Sequence, residues 1–72
     1  MKKVFKLKDL DCANCAAKME RAINKIDGVE EATISFMTQK LSITAAEEHF
    51  AEILNEAQRA MSKIEPDCTI VR

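Results

Sequence analysis

Residues 31–45 of this 72-residue chain, EATISFMTQKLSITA, show the clearest alternation in the sequence. The apolar members of the stretch are Ala32, Ile34 and Phe36, followed by Leu41, Ile43 and Ala45. Polar residues separate them, and a period of two predicts strands with one apolar face. A short turn near residues 37–39 joins the two strands. The centre of the chain therefore predicts a hairpin that buries one face.

Apolar residues at helical spacing lie on both sides of this hairpin. The earlier stripe is Ala16, Met19, Ile23 and Ile26, and the later one is Phe50, Ile53, Leu54, Ala57, Met61 and Ile64. Spacings of three and four residues place each stripe on one face of an amphipathic helix. Gly28 is expected to end the first helix, and Pro66 is expected to prevent the second from continuing.

Two further strands are expected at the ends of the chain. Residues 1–8 alternate in part, and residues 68–71 are rich in β-branched side chains. The order β-α-β-β-α-β predicts an α+β, ferredoxin-like domain that covers residues 1–72. Its sheet has four antiparallel strands, with both helices on one face.

This topology predicts which connections meet at the same end of the sheet. Right-handed crossovers bring together the connections at residues 9–14, 37–39 and 65–68. His49, the single histidine, is expected at the opposite end and on the solvated surface. The acidic outer face of the second helix and the lysines near the N-terminus are expected to be solvated as well, with a docking surface as the alternative. Those lysines are Lys2, Lys3, Lys6 and Lys8.

Composition excludes several classes of function. Eleven basic and twelve acidic residues give a net charge of −1, and three aromatic residues offer few stacking platforms, so nucleic-acid binding is not expected. The longest uncharged run, residues 32–39, is far shorter than the ~20 apolar residues of a membrane span. Nothing at the start resembles a signal peptide. We therefore expect a small cytoplasmic monomer without room for a catalytic cleft.

The sequence CANC at residues 12–15 stands at the entry to the first predicted helix. Two sulfurs three residues apart across a loop-to-helix junction can converge on one point. The free N–H groups and positive end of the helix favour thiolate over thiol, which is expected to lower both pKa values. Thiolates are the soft ligands that Cu(I), Zn(II) and Cd(II) select. Cys12 and Cys15 are therefore the candidate metal ligands.

Two other interpretations of the cysteine pair stay open. A dithiol redox site is one, although thioredoxin-type sites rely on a proline opposite the pair, and the one proline here lies near the C-terminus. A closed structural zinc site is the other, but it needs four ligands, and the chain has no second close-spaced cysteine pair. An exposed site with unfilled positions is better suited to capturing a metal ion and passing it on.

The choice of metal depends on what else reaches the two sulfurs. Two thiolates alone satisfy linear Cu(I), whereas Zn(II) and Cd(II) prefer about four ligands, including hard oxygen. Asp11 adjoins Cys12 and can supply that oxygen. Its alternative role is to cap the helix or to complement the helix dipole. Cys68 is expected to be a small core residue, with a third thiolate ligand as the alternative.

The chain resembles the heavy-metal-associated domain along its whole length. The stretch LDCANCA at residues 10–16, after a first strand and within a βαββαβ pattern, is most similar to the branch found in cadmium-, zinc- and lead-exporting P-type ATPases. The resemblance implies metal binding through the two cysteines. It also implies an acidic ligand, either beside the motif or on the loop before the last strand. Asp11 is the first candidate and Glu65 the second, with Asp67 also on that loop.

The two residues before the motif depart from the family pattern. The family usually has Gly-Met there, and this chain has Asp9 and Leu10. We expect Leu10 to fill the apolar space under the loop. Asp9 is not expected to copy the backbone of a glycine.

The resemblance implies a binding module with no chemistry of its own. It would hold one Zn(II), Cd(II) or Pb(II) ion at an exposed edge and transfer it by ligand exchange. The expected setting is the cytosolic N-terminal domain of a metal-exporting P-type ATPase, with the membrane domain or other cytosolic domains as candidate partners. A free-standing Cu(I) metallochaperone and a small dithiol oxidoreductase are the alternatives.

Overall fold

The computed structural model describes residues 1–71 and contains the six predicted elements in the predicted order. The strands are β1 (Lys2–Lys8), β2 (Val29–Ser35), β3 (Lys40–Ala45) and β4 (Thr69–Val71), and the helices are α1 (Ala13–Asn24) and α2 (Phe50–Ile64). A single 3₁₀ turn, Glu47–His49, leads into α2. The βαββαβ prediction is confirmed, although β4 begins one residue after Cys68.

The four strands form one antiparallel sheet in the order β2-β3-β1-β4. In the centre, the register places Lys2 of β1 opposite Thr44 of β3, and Lys6 opposite Lys40. Because β3 runs against β1, the end of β1 lies beside the start of β3. The connections after β1, between β2 and β3, and before β4 therefore share one end, as predicted. We call it the upper end of the sheet.

The two helices cover one face of the sheet and enclose a single hydrophobic core. Both predicted helical stripes and the hairpin alternation contribute to it, since their apolar faces have no other way to leave water. The large side chains that solvent barely reaches are Leu10, Met19, Ile23, Leu41, Ile43, Ile53, Met61 and Cys68. Phe36 departs from the predicted alternation: β2 ends at Ser35, and Phe36 is 38% exposed on the turn that follows.

The free edge of β2 is occupied by polar side chains of α1. The Asn24 side chain donates to the Ala32 carbonyl and accepts from the Ala32 N–H, both at 2.8 Å. The Glu20 carboxylate accepts from the Ile34 N–H at 2.7 Å. An open strand edge is a template for pairing with another chain, and these contacts close it.

The opposite edge of the sheet is closed in the same way. Gln58 of α2 donates to the Cys68 carbonyl at 3.1 Å and accepts from the Ile70 N–H at 2.9 Å. Each helix thus contributes one amide side chain that pairs with a carbonyl and an N–H group at the edge of the sheet. The two halves of the fold use the same device.

Replacing Asn24 with alanine is expected to lower the free energy of unfolding by about 1–2 kcal/mol. Two partly buried backbone groups of Ala32 would lose their partners, and the better helix propensity of alanine would offset only part of that loss. Urea unfolding followed by circular dichroism measures the difference. The exposed Lys18 on the same helix provides the matched control, and its alanine variant should change stability by less than about 0.5 kcal/mol. Equal stability of the two variants would contradict a stabilising role for the Asn24 side chain at the edge of β2.

Candidate metal centre

The loop between β1 and α1 is anchored from below and from the side. Leu10 is fully buried, so its side chain fills the apolar space under the loop, as expected. The Gln39 side chain, on the β2–β3 turn, donates to the Leu10 carbonyl at 2.6 Å. The Gln39 carbonyl accepts from the Leu7 N–H at 2.8 Å. The hairpin turn therefore braces the loop that carries the cysteines.

Asp9 starts this loop with a φ of +61°, in the left-handed region that glycine favours. The expectation that an aspartate could not take a glycine-like backbone here is therefore wrong. Aspartate is one of the few other residues that adopt this conformation, because its short polar side chain tolerates it. Gln39 also has a positive φ, of +54°. The cysteine loop and the hairpin turn that contacts it therefore each contain a residue with a left-handed backbone, Asp9 and Gln39.

Cys12 is the N-cap of α1. It has an extended backbone, with φ of −127° and ψ of +119°, and its Sγ accepts the Cys15 N–H at 3.3 Å. The Ala16 N–H closes the first helical turn on the Cys12 carbonyl at 3.0 Å. The alternative prediction that Asp11 caps the helix is therefore wrong, because the Cys12 side chain is the cap. Asp11 itself is exposed, immediately beside the cap.

The pKa values of the two thiols are shifted in opposite directions. The pKa of Cys12 is lowered by the side-chain hydrogen bond from Cys15 and by the backbone N–H groups of Cys15 and Asn14. The pKa of Cys15 is raised to about 11 by its hydrogen bond to Cys12, by burial, and by the hydrogen bond and charge of Glu65. The expectation that helix entry lowers both values is wrong for Cys15. The Cys15 thiol shares its proton with Cys12 through this hydrogen bond, and the backbone N–H groups favour the anionic form of Cys12.

Brief alkylation near pH 8 should therefore modify Cys12 first. The thiolate is the reactive form, and its fraction at Cys12 exceeds that at Cys15 until the pH approaches the pKa of about 11 at Cys15. Peptide mass spectrometry after a short reaction with iodoacetamide gives the order of labelling. Cys68, which is fully buried, serves as the internal control and should react only on unfolding. Labelling of Cys15 ahead of Cys12 would contradict the lower pKa of Cys12.

Glu65 brings a carboxylate to this pair from the other half of the chain. It follows α2 as the C-cap residue, where its N–H donates to the Met61 carbonyl at 2.7 Å. Its carboxylate acts on Cys15 through a hydrogen bond, while its Oε2 atom is buried without a hydrogen-bond partner. A buried carboxylate oxygen with no donor is costly unless something positive reaches it. Two thiols with such an oxygen beside them fit a borderline divalent cation.

The remaining candidates are placed less closely. Cys68 is fully buried, which confirms it as a core residue, and burial together with the charges of Glu65, Asp9 and Asp11 raises its pKa. Asp67 is exposed. His49 follows β3, at the end of the sheet opposite the cysteines, as predicted. Within residues 1–71, no three Cys, His, Asp or Glu side chains already surround a common point.

Sequence reasoning missed one residue that shapes the site. Gln39 was not a candidate, yet both its side chain and its carbonyl bind the segment around the loop. The available signal was topological: the hairpin turn was expected at the same end as the cysteines. Which of its polar residues would face the loop depends on the left-handed backbone, and no periodicity reveals that.

A small βαββαβ domain with paired thiols at a helix entry defines a class of metal-binding modules rather than enzymes. Residues 4–67 match the sequence model of the heavy-metal-associated domain, and the chain belongs to this family. The domain binds metal and is not itself catalytic, so the dithiol oxidoreductase alternative is not sustained. Neither helix of residues 1–71 is long and apolar enough to cross a membrane.

Two proteins that are similar to this chain in sequence are much longer than it is. A probable cadmium-transporting ATPase of Listeria monocytogenes is 44% identical over 43 residues, which are 60% of this chain and 6% of that protein. A zinc/cadmium/lead-transporting P-type ATPase of Shigella sonnei is 34% identical over 56 residues, which are 78% of this chain and 8% of that protein. The chain thus spans less than a tenth of the length of either.

A solved structure shares the whole fold. The CopZ metallochaperone superimposes with a TM-score of 0.73 at 20% sequence identity, over 99% of this chain and 100% of that one. At this identity the likeness concerns the fold alone. It confirms the ferredoxin-like arrangement of heavy-metal-associated domains.

Proposed function

We propose that this domain binds one Zn(II), Cd(II) or Pb(II) ion through Cys12 and Cys15 and passes it on by ligand exchange. The observation that carries the proposal is the hydrogen-bonded pair of Cys12 and Cys15 at the N-terminus of α1, with the partly buried Glu65 side chain beside Cys15. Soft sulfur and hard oxygen together are the donor set that borderline divalent ions prefer. The ion is cargo rather than a resident cofactor.

The shared proton suggests the order of binding. Cys12, whose pKa is lowered, gives up its proton more readily than Cys15 and is the proposed first ligand of the incoming ion. The positive charge of the ion then displaces the proton of Cys15, whose pKa of about 11 belongs to the metal-free pair. Release reverses these steps when a competing thiolate takes the place of one sulfur. Both sulfurs are partly exposed, so an incoming ligand can reach them.

Carboxylates are the proposed source of preference for divalent ions. Glu65 is the acidic residue that the fold brings to the thiols, and Asp11 is a second one beside Cys12 on the exposed side of the loop. Each adds an oxygen donor and a negative charge, which favour a doubly charged ion over Cu(I). Linear Cu(I) needs neither carboxylate.

The proposed setting is the cytosolic N-terminal region of a metal-exporting P-type ATPase. Relatives named as cadmium and zinc/cadmium/lead transporters support it, and this chain matches only a small part of them. In that setting the domain would deliver ions to the transporter's membrane domain or sense them for it. A free-standing metallochaperone of the same fold is the alternative that full-length sequence data would distinguish.

Competition with a free thiol tests reversible transfer. Zinc-loaded protein is mixed with a chromophoric zinc chelator and increasing glutathione, and the rate of zinc release is followed by absorbance. Ligand exchange predicts a release rate that rises with glutathione, because the incoming thiolate takes part in the transfer. The Cys68→Ser variant, altered only in the core, should show the same dependence. Zinc that stays bound, or leaves at a rate independent of glutathione, would refute transfer by exchange.

A further inference from the structure

The face of the sheet that the helices leave uncovered is strongly basic. We call it the open sheet face. It carries the exposed residues Lys2, Val4, Lys6 and Lys8 of β1, Lys40 of β3 and Val71 of β4. Its acidic residues are Glu31 of β2, which pairs with Thr44, and the exposed Glu30 beside it in the β-bulge. The face therefore has an excess of positive charge in a chain whose net charge is −1.

The charges on this face are not compensated within the domain. Lys6 and Lys40 are direct cross-strand partners, and like charges in that position destabilise a sheet. Among residues 1–71, the one acid–base pair in close approach is His49 with Glu48 at 3.9 Å, and it includes no lysine of this face. Folding alone does not explain why two lysines stand opposite one another. An anionic partner outside the domain would remove their repulsion.

The shape of the face points to an extended partner. The outward-facing lysines of β1 span the seven residues of the strand, or about 20 Å from Lys2 to Lys8. Val4 is 55% exposed and Val71 is 47% exposed, so aliphatic side chains lie between the charges. Three cavities among the described residues, by contrast, are lined by residues of the helices and the turns next to them. An open basic face with aliphatic side chains between its charges suits an extended anionic surface better than a single bound molecule.

We propose that the open sheet face docks on the surface of an anionic lipid bilayer. Lysines attract acidic headgroups, and the exposed valines can settle at the interface without insertion of any segment. The acidic residues of the 3₁₀ turn and of the first half of α2 lie in the other layer of the domain, so the electrostatics favour one orientation. These residues are Glu47, Glu48, Glu52 and Glu56.

This orientation keeps the metal centre accessible. Cys12 and Cys15 lie at the upper end of the sheet and in the helical layer, so neither belongs to the docked face. The proposal goes beyond metal binding and does not depend on it. Docking by four lysines is weak, and tethering to a membrane protein would raise its effective strength by local concentration.

Vesicle sedimentation tests the proposal with the chain as given. Phosphatidylcholine vesicles with roughly 30% phosphatidylserine are compared with pure phosphatidylcholine at low salt. At roughly fivefold per lysine, less the opposing effects of Glu30 and Glu31, we expect about a 25-fold preference for the anionic vesicles. Physiological salt should weaken it, because screening shortens the range of the attraction. The double variant Lys6→Glu with Lys40→Glu should lose at least tenfold of the binding.

Matched controls separate the face from overall charge and from metal binding. Lys18→Glu with Lys25→Glu makes the same change of charge on exposed positions of α1 and of the turn after it, and should cost no more than about threefold. Cys12→Ser with Cys15→Ser should bind vesicles like the parent. The proposal is overturned by equal losses in the two lysine variants or by no preference for anionic vesicles. It is also overturned if an acidic peptide binds the face while vesicles do not, or if sedimentation velocity shows a second copy covering it.

Discussion

Replacing Cys15 with serine is expected to abolish the thiolate-to-cadmium absorption band and to lower cadmium affinity by about two orders of magnitude or more. A serine hydroxyl stays protonated near neutral pH and is a hard ligand, so a single thiolate would remain for a soft ion. Ultraviolet titration of reduced protein with Cd(II) measures both effects.

The other cysteines define the controls for that titration. Cys12→Ser should behave like Cys15→Ser, because both sulfurs are needed to chelate one ion. Cys68→Ser should keep the band and the affinity, since Cys68 is fully buried in the core. Circular dichroism of each variant shows whether the fold is retained. A large loss of affinity in a folded Cys68→Ser variant would make that residue a ligand and contradict the two-thiolate site.

The second large effect is expected at Glu65. Replacing it with glutamine keeps its size but removes the charge beside Cys15, and should weaken Zn(II) and Cd(II) by roughly tenfold to a hundredfold. Cu(I), which two thiolates satisfy in a linear geometry, should lose less than about threefold. Competitive titrations with a chelator of known affinity for each ion give the comparison.

Asp11→Asn is the matched variant on the exposed side of the loop. It should also weaken divalent ions more than Cu(I), but by less than Glu65→Gln, since water already solvates its carboxylate. Asp67→Asn, at an exposed position of the loop before β4, should change little. Equal losses for Zn(II), Cd(II) and Cu(I) in the Glu65 variant would remove the case for an oxygen ligand.

Periodicity was enough to predict the elements and their order. The alternation of residues 31–45 and the two helical stripes determine which side chains must leave water, and right-handed crossovers then give the topology. That the three upper connections meet, and that His49 lies away from them, follows from topology alone. The sequence could not reveal how the loop backbone bends, so the left-handed Asp9 was missed.

The chemistry of the site was only partly predictable. Each cysteine at a helix entry, taken alone, is expected to have a lowered pKa. The Cys15 thiol hydrogen-bonds to Cys12, however, so the pKa of Cys12 falls and that of Cys15 rises. Asp11 is the obvious acidic neighbour in sequence, whereas Glu65 reaches the pair through the packing of α2 against α1. Contacts between distant segments depend on how side chains pack, and no spacing along the chain encodes them.

The lysines of the N-terminal strand show the same limit. Four lysines lie close together in the sequence, but strand alternation divides them between the two faces of the sheet. They are Lys2, Lys3, Lys6 and Lys8. The Lys3 ammonium lies 5.0 Å from the centre of the Phe50 ring, on the helical side of the sheet. The other three face outward, where Lys40 joins them from a strand that is distant in sequence.

X-ray absorption of the zinc-loaded domain tests the two-sulfur site, since it counts the atoms bound to the metal. Two sulfur neighbours are expected at about 2.3 Å, with the rest of the shell made of oxygen at about 2.0 Å. Removal of Glu65 should change the oxygen shell and leave both sulfurs in place. A shell of four sulfurs drawn from two chains, or one without sulfur, would contradict a single ion held by Cys12 and Cys15.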